Sequence, residues 1–459
     1  MGIVLRGYQK EIISDVRELM LAGQKRILVC SPTGSGKTAL TTHMMASAAS
    51  KKMHSIFGVH RRELIKQSIL AFDKSEVFHG IIASKFPEDP RPFVQIASIP
   101  SLGRRLKTIK EPKLIVWDEC HHIAAGTWAK IFKKYPDAYH IGLTATPERL
   151  DGKGLKDWFD VIVKGPSVKW LIDEGWLSPY KMFAPSKLDM TGVKKQMGDF
   201  AKKEVNELID KPTITGDVIK EYLKVAKDKR AVVFCASILH SKHVAEQFNA
   251  CGVSAVHVDG ETSIDERDAA IANFKEGKIK VMCNVDLFGE GFDLPSLEAV
   301  ILLRPTQSLG LYLQQVGRAL RIYEGKNHAI ILDHVGNHER HGFPDDEREW
   351  SLDGKKGRTK KGEKVQPIKV CDSCFAAQFP GAKVCKHCGY EFKIEPRSIQ
   401  EVDGELEEID PNVLRKKRKS ENIRAESLED LIALGRSRGY KSPEGWAYHI
   451  HKARTSKRR

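Results

Sequence analysis

Short apolar runs alternate with amphipathic stretches along the chain up to about residue 340. The runs are rich in β-branched residues, as buried strands are. They lie within residues 27–30, 55–67, 93–102, 114–117 and 139–149 of the first half, and within 231–237, 253–260, 280–285 and 297–305 of the second. Strands separated by helical segments favour parallel pairing through crossover helices. The pattern therefore predicts an α/β chain with two tandem parallel-sheet domains.

A glycine-rich segment, SPTGSGKT at residues 31–38, follows the first apolar run directly. A strand that ends in such a turn and continues as a helix directs several backbone N–H groups at one polyphosphate. Lys37 is expected to reach the β and γ phosphates, and the hydroxyl of Thr38 to ligate magnesium. The predicted nucleotide-binding residues of this loop are Pro32, Thr33, Gly34, Ser35, Gly36, Lys37 and Thr38. A plain strand-to-helix turn is the alternative interpretation, and only a second motif downstream argues against it.

That second motif is LIVWDECHH at residues 114–122. An apolar strand there ends in two carboxylates and two imidazoles. We expect Asp118 to hold magnesium and Glu119 to polarise the water that attacks the γ phosphate. The two motifs together predict an ATPase. In the next strand, Thr144 and Thr146 stand where their hydroxyls could sense hydrolysis.

The second half contains no phosphate loop but two unusual segments, GEGFDLP at 289–295 and YLQQVGRALR at 312–321. Gly291 allows close backbone approach, and Asp293 can accept from a ribose hydroxyl. Arg318 and Arg321 are three residues apart, which predicts that they share one helix face and reach a phosphate held by the other domain. Two solvated arginines on an exposed helix are the alternative.

Polar residues follow the strands of the first half, at the edge where ligands bind in open α/β sheets. They are Arg61, Arg62, Ser98 and Ser101. Arg6 and Gln9 stand ahead of the phosphate loop, at the start of an amphipathic helix predicted within residues 4–20. They suit adenine recognition, with an ordinary surface helix start as the alternative.

The chain has 459 residues and a net charge of +15, so we expect several domains and a polyanionic partner. No apolar run approaches the roughly 20 residues of a membrane-spanning helix. The N-terminus lacks a signal-peptide pattern, which predicts a cytoplasmic protein without a membrane partner. Five scattered cysteines are interpreted as reduced, space-filling residues: Cys30, Cys120, Cys235, Cys251 and Cys283.

Four further cysteines form two Cys-x2-Cys pairs, Cys371 with Cys374 and Cys385 with Cys388. This spacing predicts a compact zinc ribbon with a structural Zn²⁺, because four thiolates leave no open position for water. Disulfides are the less favoured alternative in a reducing compartment. Beyond the ribbon, an acidic segment is followed by basic stretches and a predicted helical hairpin with Trp446, Tyr448 and Ile450 as its apolar anchor.

The order of these motifs resembles that of the superfamily 2 helicases and translocases, over roughly residues 3–335. LRGYQ resembles the adenine motif, SPTGSGKT motif I, VHRRELIKQ motif Ia, ASIPSL motif Ib, DECHH motif II and TATP motif III. VVFCAS resembles motif IV, NVDLFGEGFDLP motif V and QQVGRALR motif VI. The closest resemblance is to DEAD/DEAH-like, type III restriction helicase-like members of phage or prophage type.

The resemblance implies roles for particular residues. His121 would couple the ATP site to the nucleic-acid face, and Gln314, Arg318 and Arg321 would complete that site from the second domain. Ser237 would join Arg61, Arg62, Ser98 and Ser101 on nucleic acid. The resemblance implies ATP and Mg²⁺ as cofactors beside the Zn²⁺ of the ribbon. DNA in single-stranded, forked or branched form is the expected track, with RNA left open.

The predicted organisation is a RecA-like domain at 1–185, connecting helices at 186–225 and a second RecA-like domain at 226–340. A linker at 341–367, the zinc ribbon at 368–394 and a basic helical tail at 395–459 follow. Residues 170–185 are expected to form a strand that leaves the first domain. The expected function is an ATP-dependent DNA helicase or branch-migration enzyme, associated with the nucleoid. An ATP-switched clamp, a restriction motor subunit and an RNA helicase remain the alternatives.

Overall fold

A computed structural model describes most of the chain. The described residues are 4–148, 154–185, 195–196, 199–200, 213–215, 218–285, 287–288, 296–306, 308–353, 369–370, 377–378, 400–402, 406–425, 427–438, 440 and 442–456.

The first sheet has seven strands, all parallel, in the order β3-β4-β2-β5-β6-β1-β7. Their bounds are β1 (Arg26–Cys30), β2 (Ser55–Val59), β3 (His79–Ile82), β4 (Val94–Ser98), β5 (Leu114–Asp118), β6 (Tyr139–Thr144) and β7 (Val161–Lys164). The sequence pattern predicted five of them and missed β3 and β7, which are the two edge strands.

Six helices accompany this sheet: α1 (Gly7–Leu21), α2 (Lys37–Ser50), α3 (Arg62–Lys74), α4 (Ile99–Arg104), α5 (Gly126–Lys134) and α6 (Val168–Asp173). Successive strand residues point to opposite faces of a sheet, so each strand contributes to two cores. Val29 and Val116 belong to the core beneath α1, α2 and α3. Leu28 and Ile115 belong to the core beneath α4 and α5.

The buried side chain of His140 joins parts of the core beneath α4 and α5 through two hydrogen bonds. The indole N–H of Trp117 donates to Nδ1 of His140 at 3.1 Å, and Nε2 of His140 donates to the carbonyl oxygen of Tyr135 at 2.8 Å. Burial lowers the pKa of His140 to about 4, so the ring is neutral at physiological pH. Neutral imidazole is also what the two bonds require, since one nitrogen accepts and the other donates.

The remaining strands are β8 (Tyr180–Pro185), β9 (Lys195–Gln196), β10 (Asp199–Phe200), β11 (Thr213–Thr215), β12 (Ala231–Phe234), β13 (Ala255–Val258), β14 (Val281–Asn284), β15 (Ala299–Leu302), β16 (Ala329–Asp333), β17 (Lys369–Val370), β18 (Ala377–Gln378), β19 (Gln400–Val402) and β20 (Leu406–Ile409). Seven of them form the second sheet, in the order β13-β14-β12-β15-β16-β8-β20. All its pairings are parallel except that of β20 with β8.

The later helices are α7 (Val218–Val225), α8 (Ile238–Ala250), α9 (Ile264–Lys275), α10 (Leu309–Ala319), α11 (Asn337–His341), α12 (Pro411–Arg424), α13 (Leu428–Ser437) and α14 (Pro443–Ser456). The two large sheets with their helices match the predicted α/β class of tandem RecA-like domains. No helix among the described residues is long and apolar enough to span a bilayer.

The second sheet and its core include three segments that the sequence pattern predicts to lie in other parts of the protein. Strand β8 lies within 1–185, yet it pairs with β16. Helix α7 lies in the predicted connector, yet its Ile219 and Tyr222 pack in the core of the second sheet. Strand β20, from the predicted tail, covers the free edge of β8. Hydrophobic pattern identifies a strand but not the sheet that it joins, because pairing is decided by tertiary contacts.

The tail beyond β20 contains the predicted helical hairpin, as α13 and α14. Leu431 and Ala447 are fully buried there. Tyr448 was wrong as an anchor, because 54% of its surface is exposed. The aromatic contact is instead made by Trp446, whose ring lies 5.1 Å from that of Tyr440.

The predicted zinc ligands, Cys371, Cys374, Cys385 and Cys388, lie outside the described residues. Strands β17 and β18, which flank the first Cys-x2-Cys in the sequence, pair antiparallel. Elsewhere in the described part of the chain, no group of three or more His, Cys, Asp or Glu could hold a metal ion.

Candidate active site

The phosphate loop joins β1 to α2 and depends on two glycines. Gly34 and Gly36 have φ of 85° and 84°, the left-handed region that glycine adopts without steric cost. Nζ of Lys37 donates to the carbonyl oxygens of Ser31 at 3.1 Å and Pro32 at 3.3 Å. The ammonium group is therefore held over the loop, where a polyphosphate would meet both it and the N-terminus of α2.

The serine that begins the loop has a structural partner. The hydroxyls of Ser31 and Ser35 lie 2.7 Å apart, and Ser35 also donates to the carbonyl oxygen of Pro32. Both serines are fully buried. The buried side chain of Ser31 thus stabilises the turn through its contact with Ser35.

Two side chains near the N-terminus of α1 donate hydrogen bonds to the same loop. Nε2 of Gln9 donates to the carbonyl oxygen of Ser35 at 3.0 Å, and the hydroxyl of Tyr8 donates to that oxygen at 2.7 Å. Oε1 of Gln9 accepts from the backbone N–H of Arg6. The Arg6 guanidinium lies 4.3 Å from the ring centroid of Trp176, a cation–π contact. Arg6 and Gln9 are thus gathered beside the loop, and their adenine role stays a prediction.

Sequence reasoning missed Tyr8 and Trp176 in this group. Tyr8 could have been found, because it adjoins Gln9 in the LRGYQ segment. Trp176 lies in the segment between the two sheets, and no local pattern connects it with the loop. Leu177 was also missed: a Cβ on Gly34 would lie 2.8 Å from its side chain.

The two carboxylates of DECHH stand at the end of β5. Glu119 has φ of 47°, a left-handed conformation that is strained for a residue with a side chain. A 3₁₀ turn, Cys120–His122, follows. Nδ1 of His121 lies 3.5 Å from Oε2 of Glu119 and 3.2 Å from the hydroxyl of Thr144. The Thr144 hydroxyl in turn donates to the carbonyl oxygen of Thr146, which links DECHH to the following strand.

Helix α10 of the second domain closes on this carboxylate. Nε2 of Gln314 lies 3.4 Å from Oε2 of Glu119, and both side chains are buried. A Cβ on Gly317 would stand 2.8 Å from Cβ of Thr33 in the phosphate loop. A Cβ on Gly310 would stand 2.8 Å from the hydroxyl of Thr146. Two glycines therefore allow α10 to approach the first domain closely.

The two arginines reach the site differently from the prediction. Arg318 lies on α10 and is 6% exposed. Helix α10 ends at Ala319 and is capped by Leu320, so Arg321 does not share its face. Cγ of Arg321 lies 3.6 Å from the Cβ position of Gly34. Burial lowers the pKa of Arg321 to about 10, which still leaves it charged at neutral pH.

The predicted nucleic-acid residues lie where their strands end. Arg61 donates through Nη1 to the carbonyl oxygen of Leu287 in the second domain, at 2.9 Å. The guanidinium of Arg62 lies 6.0 Å from the ring of Phe86. Ser98 caps α4 by accepting from the backbone of Ser101, which is buried.

In the second domain, exposed Ser237 caps α8 by accepting from the backbone N–H of His240. Gly291 and Asp293 lie outside the described residues. Two ion pairs between the domains were not foreseen: Glu63 with Arg267 at 3.0 Å and Lys66 with Asp268 at 2.7 Å. They join α3 to α9.

The site offers hard oxygen donors that suit magnesium. Thr38 is exposed at the first turn of α2, and Asp118 is partly exposed at the end of β5. Mg²⁺ prefers one or two protein oxygens together with substrate phosphates and water. The donor set therefore fits the ion.

Two family models match the chain. The one described as the res subunit of type III restriction enzymes covers residues 2–149, and the helicase conserved C-terminal domain covers residues 215–323. The first model spans β1–β6 of the first sheet, and the second spans β12–β15 of the second sheet.

Similar proteins come from phages, yeast and archaea. The chain is 37% identical over 413 residues to a 51.5 kDa protein of Lactococcus phage (isolate 7-9), covering 90% of this chain and 88% of that protein. It is 30% identical over 356 residues to a Saccharomyces cerevisiae protein provisionally named ATP-dependent helicase IRC3, covering 72% of this chain and 52% of the yeast protein. It is 25% identical over 366 residues to the DNA 3'-5' translocase XPB2 of Sulfurisphaera tokodaii, covering 70% and 79% of the two chains.

A solved structure supports the fold. A fragment of a provisionally assigned HsdR subunit of a type I restriction enzyme from Vibrio vulnificus YJ016 superposes with a TM-score of 0.59 at 22% identity, covering 75% of this chain and 67% of that one. The two family models, which together match more than half of the chain, show that it belongs to the superfamily 2, type III restriction-like family of ATP-hydrolysing helicases.

Proposed function

We propose that this chain is a DNA translocase or helicase that hydrolyses ATP between its two RecA-like domains to move along or remodel DNA. The observation that carries the proposal is the approach of Gln314 to Glu119 across the interdomain cleft, at 3.4 Å. A hydrolytic carboxylate that contacts the opposite domain can make the closure of that cleft depend on the state of the nucleotide.

The chain's own residues divide the chemistry among them. The loop N–H groups and Lys37 bind the phosphates, while Glu119 accepts a proton from the attacking water. Magnesium, held through Thr38 and Asp118, would neutralise charge on the phosphate oxygens. Arg318 and Arg321 would stabilise negative charge that develops as the γ phosphate leaves ADP.

His121 and Thr144 offer a route from hydrolysis to the DNA face. The imidazole contacts both Glu119 and the Thr144 hydroxyl, so a change at the carboxylate alters the hydrogen bonding of the next strand. We propose that this link couples ATP turnover to movement. Gln9 and Arg6 would position the adenine, and Gly291 and Asp293 would approach the nucleotide from the second domain.

DNA is the proposed track for two reasons. The net charge of +15 favours a polyanion, and among the relatives the archaeal protein is named a DNA translocase. Arg61, Arg62, Ser98 and Ser237 would contact the DNA backbone at the carboxyl edges of the two sheets, whereas the predicted contact of Ser101 does not fit its burial. The zinc ribbon and the basic tail would hold a fork or branch. We propose that the protein acts in the bacterial cytoplasm at the nucleoid, including in phage-infected cells.

The test measures ATPase rate and strand displacement with single-stranded DNA, forked DNA and a matched RNA. We expect DNA to stimulate ATP turnover and forked DNA to be unwound only when ATP is present. Stimulation by RNA alone would overturn the choice of track, and stimulation without displacement would identify a translocase or clamp.

A paired substitution locates the DNA contact. Arg61→Ala should weaken DNA stimulation and reduce the salt dependence of binding, because one phosphate contact is lost. Lys113→Ala is the matched control, since Lys113 is exposed and precedes β5, at the opposite edge of the sheet. Equal effects of both substitutions would argue against a DNA contact at Arg61.

A further inference from the structure

A cavity of about 360 Å³ lies at the amino edge of the first sheet, where β2 and β4 begin, and is flanked by the last two residues of β3. Its walls combine aliphatic and proline side chains, among them Ile56, Ile82 and Pro112, with polar and charged side chains. Strand β2 has five residues, so the cavity is about 16 Å from the edge that bears the phosphate loop. It is therefore separate from the ATP site.

Four buried polar side-chain atoms in this wall have no hydrogen-bond partner among the described residues. They are Nε2 of His54, Oγ of Ser55, Oε1 of Gln95 and Nη1 of Arg105. Ser55 is 1% exposed and Gln95 8% exposed. A buried polar atom without a partner costs free energy, so a cluster of four beside one cavity indicates a place for polar ligand atoms.

The hydrogen-bonding sense of two of these atoms is set by their neighbours. Nε2 of Gln95 donates to the carbonyl oxygens of Asp89 and Pro92, each at 3.0 Å, so Oε1 is left as an acceptor. Nη2 of Arg105 pairs with Glu88 at 2.5 Å, so Nη1 is left as a donor. The cavity thus presents a fixed acceptor and a fixed donor.

The charge in the cavity is balanced. Glu88 offsets Arg105, and Arg91 pairs with Asp89 at 2.7 Å. Burial, together with nearby Lys110, lowers the pKa of His54 from its usual value, which favours its neutral form. These surroundings favour a neutral ligand over an ion.

The loop that closes the cavity can pack against β3 only because residue 80 is a glycine. A Cβ on Gly80 of β3 would lie 1.9 Å from the carbonyl oxygen of Asp89 and 2.6 Å from the amide of Gln95. Only glycine lets the loop approach β3 so closely. The same loop carries the carbonyl that orients the Gln95 amide, so the acceptor is built into the fold.

We propose that this cavity binds a small neutral heterocycle with a lactam edge, of the kind found in uracil. The ring N–H would donate to Oε1 of Gln95, and an adjacent ring carbonyl would accept from Nη1 of Arg105. Ser55 and His54 would bond to the remaining polar atoms. The ring of Phe93, whose centroid lies 4.8 Å from that of His54, adds a flat wall. The size of the cavity is at the lower end of small-molecule sites.

Calorimetric titration of the full chain with uridine tests the site. We expect saturable binding of uridine. The affinity for 3-methyluridine should be lower by about tenfold or more, because this nucleoside keeps the ring but lacks the N–H that would donate to Oε1 of Gln95. The absence of saturation up to about 10 mM uridine, or equal affinity for the two nucleosides, would overturn the proposal.

Two variants separate the site from general stability. Ser55→Ala removes a hydroxyl with no partner among the described residues, so its melting temperature should not fall while uridine affinity drops about fivefold to tenfold. Arg105→Met keeps the aliphatic stem, loses the donor and should weaken binding at least as much. Unchanged affinity in both variants would refute the assignment.

A further titration tests whether the bound heterocycle is a base of a nucleic-acid strand or a free nucleoside. Titration with uridine is repeated in the presence of saturating single-stranded oligouridylate. Loss of the uridine heat shows that a base of a strand occupies the cavity, whereas an unchanged heat assigns it to a free nucleoside. Either result retains the site. Because ATP hydrolysis is not involved, Glu119→Gln should bind uridine as the unaltered chain does.

Discussion

Adding one methyl group at Gly317 should disable the ATPase without unfolding the protein. In Gly317→Ala the new carbon would lie 2.8 Å from Cβ and 3.1 Å from Cγ2 of Thr33. Non-bonded carbons prefer a separation of about 3.5–4.0 Å, so α10 must retreat from the phosphate loop by roughly 1 Å. Gln314, one turn earlier on α10, would move away from Glu119. A displacement of about 1 Å in a catalytic arrangement can cost on the order of 10²-fold in rate.

The assay is steady-state ATPase with saturating DNA, beside nucleotide binding followed with a fluorescent ATP analogue. We expect kcat to fall by about 10²-fold while binding persists, because Lys37 and the loop glycines are untouched. Thermal unfolding should shift little, because the gain in helix propensity, up to about 1 kcal/mol, offsets part of the packing that is lost where α10 retreats.

A matched control is Gly126→Ala at the start of α5, where a Cβ would meet nothing within 4 Å. It adds the same methyl group without a clash, so its kcat should remain at the unaltered value. A normal kcat in Gly317→Ala would refute the inferred closeness of α10 to the loop. A low kcat in both variants would show that the loss is not specific to the interdomain contact.

Four further predictions concern the hydrolytic site, the core and the ribbon. Glu119→Gln should retain ATP binding and lose about 10²-fold or more in turnover, because the general base is removed; near-normal single-turnover hydrolysis would contradict that role. Arg321→Ala should lower DNA-stimulated kcat by about 10³-fold if its charge stabilises the transition state, and an unchanged rate would assign it to packing alone. The lowered pKa of His140, about 4, means that the unfolded chain binds the extra proton between pH 6.5 and 4, so stability should fall through that window as pH decreases, by up to about 3 kcal/mol. Urea midpoints measured against pH should show a shallower decline in His140→Gln, and parallel curves would exclude this source. Cys385→Ser with Cys388→Ser should abolish bound zinc and weaken branched-DNA binding while basal ATPase survives; zinc analysis that finds no metal in the unaltered chain would dismiss the ribbon.

Much of the active site could be predicted from the sequence because its parts are contiguous. The phosphate loop is eight successive residues whose glycines must adopt left-handed φ, and the structure has both at about 85°. DECHH directly follows a buried strand, β5, which places it at the carboxyl edge of the first sheet. Local backbone geometry determines such segments, so their pattern is readable before any tertiary contact is known.

Other parts of the site depend on residues that lie far apart in the chain. Trp176 against Arg6 and Gly317 against Thr33 carry no local pattern that would connect them. The end of α10 at Ala319 was also missed, because apolar and basic residues continue past it. Helix boundaries of this kind are set by packing against neighbours more than by helix propensity.

The sequence by itself determined the α/β class, most of the strands of the two sheets, the phosphate loop and the position of two carboxylates directly after β5. Only the tertiary structure decided that β8 and β20 join the second sheet, that α10 reaches the phosphate loop, and that a polar cavity opens at the amino edge of the first sheet. The physical reason is that periodicity and turn chemistry act within a few residues. Strand order and the closeness of two surfaces depend instead on contacts between distant segments, which become energetically defined when the chain packs.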